Sequence, residues 1–209
     1  MTNIDVVLLA AGLSRRMGDE NKLLLPFEGV PLVRHTAQTI LASGCRSLVV
    51  VTGHEADAVR SALDGLPLKT LFNPDYASGQ MSTVACGLNA VLSTSPQPEG
   101  VMIALADMPY LQARDYCSLA GVFADKVCRK IIVPEFLGKR GNPVILPQQL
   151  CAQAARGGIR SGCRHLIDKR PADVQAADMN NSAFITDIDT AADYGRAMSS
   201  RFPVAPCCG

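Results

Sequence analysis

A short apolar run that breaks into small residues and then into positive charge constrains this 209-residue chain more than any other stretch. Val6-Val7-Leu8-Leu9 leads into Ala10-Ala11-Gly12, followed by Ser14, Arg15, Arg16 and Lys22. The run predicts a buried strand, and the small residues predict a loop whose backbone a ligand can approach closely. Gly12 can take φ > 0, leaving amide N–H groups free to face an anion. Ligands of open α/β sheets bind beyond the carboxyl ends of the strands. Guanidinium and ammonium groups placed there suit phosphate, the first as a rigid fork and the second as a mobile point charge. Neither G-x-x-x-x-G-K-[ST] nor G-x-G-x-x-G occurs in the stretch. The plain alternative is a strand and loop carrying solvated basic residues.

Beyond this loop, strand and helix patterns alternate. Helices are predicted from Pro31 to Leu41, then over 56–63, 80–92, 112–124, 148–155 and 191–198. Pro31 suits the first helical turn, and Gly157-Gly158 should break the fifth helix. Strands are predicted at 47–51, 68–72, 101–106, 131–133, 144–146 and 174–176, with a short edge at 185–188. The alternation argues for one α/β domain over residues 1–200, a three-layer α/β/α sandwich around a mostly parallel, Rossmann-like sheet. Residues 201–209 are expected to form a flexible tail. Twenty Lys and Arg against nineteen Asp and Glu leave +1, so no broad basic field recruits nucleic acid. Any phosphate affinity must be local. The eight cysteines include no C-x-x-C pair, and Asp5 interrupts a first apolar run too short for a secretory signal or a membrane span. A reducing cytoplasm fits best. Cys207-Cys208 are expected to be merely exposed.

Asp107 follows the most buried predicted strand, in Ala106-Asp107-Met108-Pro109, on the same sheet edge as Gly12. A carboxylate there can hold a hard divalent cation, although Asp before a turn and a proline is also common. Asp187 and Asp189 form a second acidic site. On the short edge at 185–188 they are expected to point to opposite faces and not to share one ion. One would then meet Asp107 while the other caps the last helix or stays solvated. Asn73-Pro74-Asp75-Tyr76-Ala77-Ser78-Gly79 is turn chemistry, and the helix start after it offers unpaired N–H groups to an anion or a base. His35, His54 and His165 lack metal spacing, and no Ser-His-Asp or Cys-His set can be assembled.

The opening stretch closely resembles the L-A-[AG]-G-x-(S/G)-x-R-M-G…K signature of the nucleotidyltransferases with a MobA-like fold. Further likeness lies in Gly53, in NPDYASGQMST, in Asp107-Met108-Pro109, in Gly141-Asn142-Pro143, and in Asp187-Ile188-Asp189-Thr190 with Asp193-Tyr194. Ala191 stands where the family has Pro, and Arg160, near Gly162-Cys163-Arg164, stands where an acidic residue is usual. The resemblance implies a fold of the nucleotide-diphospho-sugar transferase type. It implies nucleotide contacts from Leu9, Ala10, Ala11, Gly12, Arg16, Lys22, Gly53, Asn73, Gly79 and Ser82. Arg16, Lys22 and Asp107 would be catalytic, the two cations holding the β- and γ-phosphates. Asp107 and Asp189 would hold Mg²⁺, or Mn²⁺ in its place. The likeness is greatest to the branch that transfers CMP from CTP to molybdopterin, with transient contact to a molybdenum hydroxylase or its maturation chaperone. Leu9-Ala10-Ala11-Gly12 stands where the guanylyl branch carries L-A-G-G, which implies CTP over GTP. A sugar-phosphate nucleotidyltransferase, a Rossmann-type oxidoreductase and a non-catalytic nucleotide carrier are the rival readings.

Overall fold

The computed structural model describes residues 3–18, 20–125, 130–156 and 167–199. The first strand, β1 (Ile4–Ala10), is buried along its whole length because it lies in the middle of the sheet with neighbours on both sides. Asp5 tolerates that burial through a two-pronged pair with Arg46, Nε to Oδ1 at 2.8 Å and Nη2 to Oδ2 at 2.7 Å.

After β1 come a small hairpin of β2 (Pro26–Phe27) and β3 (Val30–Pro31), then α1 (Leu32–Ala42). Pro31 precedes the helix as its cap residue, one position earlier than the first-turn site expected of it, because it pairs across the hairpin with Pro26. The chain continues through β4 (Ser47–Thr52), α2 (Ala56–Ala62), β5 (Lys69–Phe72), α3 (Gln80–Leu92), β6 (Gly100–Leu105) and α4 (Ala113–Asp125). β7 (Ile131–Phe136), β8 (Lys139–Arg140), β9 (Val144–Pro147), α5 (Gln148–Arg156), β10 (Val174–Asp178) and α6 (Ala191–Ser199) complete it.

The sheet runs β10-β7-β9-β6-β1-β4-β5, with β8 added to β7. β4, β5 and β6 join the β1 side in parallel, and β9 lies antiparallel between β6 and β7. Side chains alternate across β1. Val6 and Leu8 join a core with α1, α2 and α4, while Val7 and Leu9 join one with α3 and α5. That alternation makes three layers.

The topology also locates the site. From β1 the chain adds β4 and β5 on one side, then crosses back to place β6 on the other. The loops leaving β1 and β6 therefore diverge at their carboxyl ends and open a crevice between them. Residues 185–188 are not the predicted edge strand: a 3-10 turn over Ser182–Ile185 is followed by irregular chain. The expected break at Gly157-Gly158, the Arg160 to Arg164 element, Cys128, His165 and the tail at 201–209 lie outside the described residues. Cys45, Cys86, Cys117 and Cys151 are free thiols, and among the described residues no helix is long and apolar enough to cross a membrane.

Candidate active site

A cleft of about 520 Å³ opens at that divergence. Its floor is Leu9, Ala11 and Leu105, at the ends of β1 and β6. One wall is the loop from Gly12 to Arg16 with Lys22, and the other is Tyr76, Gly79, Gln80 and Thr83. Asp107, Asp187 and Asp189 close one end.

The basic loop is shaped by short-range polar contacts. Ser14 takes φ 48 and Gly18 φ 75, so the left-handed turns fall there, and Gly12 does not use its freedom to take one. Gly12 matters by lacking a side chain: a Cβ there would meet nothing within 4 Å and would project into open space. Buried Met17 pins the loop from below, and its amide donates to the Ser14 carbonyl at 2.8 Å. Arg15 and Arg16, just before the anchor, are left exposed. The Asn21 side chain accepts from the Leu23 amide at 3.1 Å and caps a short turn that turns Lys22 inward.

Lys22 is only 8% exposed. Its Nζ donates to Asp107 Oδ2 at 2.6 Å and to Asp189 Oδ1 at 3.0 Å. Arg16 Nη1 pairs with the other oxygen of Asp189. Burial pulls the ammonium pKa down, but Asp107 and then Asp189 outweigh it and carry it above the ordinary lysine value. Both cations assigned to phosphates thus rest on carboxylates here. Arg15 lines the same cleft.

The three carboxylates offer oxygens within 4.8 Å of one another. This corrects the expectation that Asp187 and Asp189 face opposite ways. Residues two apart in extended chain share a face, and it is Ile188 between them that turns into the core. The Ile188 amide donates to the Asp107 carbonyl at 2.8 Å, which ties the two acidic segments together. Gly141 holds the same segment from behind: the Asn142 amide donates to the Phe184 carbonyl at 2.8 Å, and a Cβ on Gly141 would strike that carbonyl. Thr190, not an aspartate, caps α6. Its amide reaches Asp193 Oδ2 at 2.8 Å and its Oγ1 accepts from the Asp193 amide at 3.1 Å.

Burial, and then the charges of Asp107 and Asp189, push the Asp187 carboxyl pKa up. Asp107 Oδ1 is buried without a hydrogen-bond partner. A buried carboxylate oxygen left unpaired is costly, and beside two further carboxylates it is a donor set that fits a hard divalent cation.

The second wall is arranged differently. Asn73 is buried, its Nδ2 donating to Ser82 Oγ at 2.9 Å and Thr83 Oγ1 at 3.1 Å while its Oδ1 accepts from the Asp75 amide at 3.0 Å. Asn73 and Ser82 thus brace the turn into α3 and lie off the cleft. Gly53 lies behind the wall: a Cβ there would fall 2.5 Å from Tyr76 Cβ and 2.8 Å from Ala11 Cβ. Ala10 is buried beneath the floor. Leu9, Ala11, Gly12, Arg16, Lys22, Gly79 and Asp107 do line the cleft. Tyr76, Gln80, Thr83 and Asp187 are cleft residues to which the sequence reading gave no ligand role. The first three sit within the NPDYASGQMST stretch, and the spacing of that stretch was the available signal.

Residues 6–175 match the model of the MobA-like NTP transferase domain. The chain is 30% identical to a protein of Paenarthrobacter nicotinovorans named nicotine blue oxidoreductase, over 88% of this chain and 91% of that one. It is 27% identical to the molybdenum cofactor cytidylyltransferase of Escherichia coli, over 93% and 95%. Among solved structures, the Mycobacterium tuberculosis protein Rv0371c superposes with a TM-score of 0.80 at 24% identity, over 95% of this chain and 99% of that one. A second structure of that protein, with manganese, gives 0.72 at 22% identity, over 95% and 100%.

Proposed function

The chain belongs to the MobA-like NTP transferase family, and within it we propose that it transfers CMP from CTP to the phosphate of molybdopterin, releasing pyrophosphate. The observation that carries nucleotidyl transfer is the convergence of Asp107, Asp187 and Asp189, with one buried oxygen unpaired, beside Arg15, Arg16 and Lys22 in one cleft. Asp107 and Asp189 would hold a divalent cation, Mg²⁺ or Mn²⁺, with Asp187 beside them. Such a cation supplies charge neutralisation at the reacting phosphates. An oxygen of the acceptor phosphate attacks the α-phosphorus of the nucleotide, and the bond to the β-phosphate oxygen breaks as pyrophosphate departs. Arg15, Arg16 and Lys22 receive the triphosphate and stabilise the leaving charge. The bare backbone at Gly12 and Gly79 leaves room for the nucleotide. No protein nucleophile is required, because alignment and charge stabilisation suffice.

The choice of base rests on Ala11, which stands at the floor of the cleft, and on the likeness to the cytidylyltransferase. A buried donor or acceptor left unpaired by the wrong base costs roughly 1–3 kcal/mol. The name of one relative favours a second reading, a redox enzyme. A direct experiment incubates the protein with molybdopterin, Mg²⁺ and each NTP, and identifies products by mass. The cytosine dinucleotide with pyrophosphate is expected. The guanine dinucleotide would overturn the base assignment, and NAD(P)H oxidation without pyrophosphate would favour the redox reading.

A further inference from the structure

Among the described residues Lys22 is the one buried lysine, and it sits on the carboxylates that the proposed transfer gives to a divalent cation. Three carboxylates meet two cations there, Lys22 and Arg16, which leaves the cluster one positive charge short of neutral. A dication and a buried ammonium held against the same two carboxylates repel each other strongly in a medium of low dielectric. The lysine stem is flexible and its head is a point charge, so Lys22 can leave the pair if another anion accepts it. Arg15 has no partner among the described residues and lines the same cleft, so a triphosphate can dock before any carboxylate pair is broken.

We propose that Lys22 is an exchangeable counter-ion of the acidic cluster: it neutralises Asp107 and Asp189 in the free protein and moves to the triphosphate when a divalent cation takes the carboxylates. Metal and nucleotide binding are then coupled through one side chain, and the coupling is reciprocal. The inference rests on the metal role given above to Asp107 and Asp189, and it goes beyond it by assigning Lys22 two successive partners. It also gives the phosphate role expected of Lys22 a second position, distinct from the one observed.

The test is Mn²⁺ binding to the full chain without nucleotide, followed by electron paramagnetic resonance. Lys22→Gln should bind Mn²⁺ at least tenfold more tightly than the wild type, although it removes a residue needed for turnover. Arg16→Gln, at an exposed position, should tighten binding about two- to fivefold and remains informative if Lys22→Gln does not fold. Equal or weaker Mn²⁺ binding in Lys22→Gln overturns the exchange. So does unchanged binding in Arg16→Gln where that is the variant available. If Mn²⁺ binds the wild type and Asp107→Asn abolishes it, the metal assignment stands, and an overturning result in Lys22→Gln or Arg16→Gln sinks the exchange alone. Absence of Mn²⁺ binding in every protein sinks the metal assignment with it.

Discussion

The two walls of the cleft carry polar residues in comparable number and use them in opposite ways. On the basic wall, the hydrogen-bonding groups of Lys22, Arg16 and the three aspartates reach across from distant parts of the chain and leave Asp107 Oδ1 unpaired. Behind the α3 wall, Asn73, Asp75, Ser82 and Thr83 satisfy one another within eleven residues of sequence. A closed local network stiffens a turn, whereas an open network of charges from remote segments has capacity left for a ligand. Both regions looked like binding motifs in the sequence, and the difference between them is whether their polar groups are already matched.

Four substitutions sharpen that contrast. Asp107→Asn removes charge from the open network and should lower turnover by about a hundredfold or more with little change in melting temperature. Near-normal turnover with Mg²⁺ would place the reaction elsewhere. Asp189→Ala should follow it, and Asp187→Ala, at a more exposed position, should be milder. Asn73→Ala acts on the closed network. It strands the Asp75 amide and takes a donor from the Ser82 and Thr83 hydroxyls, and should cost about 1–3 kcal/mol of stability in denaturant titration. If it instead abolishes nucleotide binding in a fully stable protein, Asn73 contacts the ligand and the contrast fails.

The smallest expected effect on stability comes from one of a pair of glycines. Gly12→Val places its side chain in open cleft space at a backbone conformation without positive φ. It should change stability by only about 0.5 kcal/mol while blocking nucleotide binding. Gly53→Ala, by contrast, must displace Tyr76 or Ala11. Overpacking of that kind costs about 1–3 kcal/mol. Equal melting curves for the two variants would show that the floor and wall repack freely.

The sequence by itself determined the main strands and helices, because apolar runs such as Val6 to Leu9 and Leu48 to Val51 fix which segments bury both faces. It also determined that Gly12, Arg16, Lys22 and Asp107 belong together, since the ends of parallel strands must gather at one edge. Only the tertiary structure decided the partners. Lys22 and Asp107 are 85 residues apart and Arg16 and Asp189 173, and no local pattern reports which charge meets which across such distances. It decided as well that Asp187 and Asp189 converge, because the segment is positioned by the Asp107 and Asn142 backbones and not by strand pairing of its own. Local periodicity is set by covalent geometry and burial, while the matching of charges is set by where the packed core delivers each chain end.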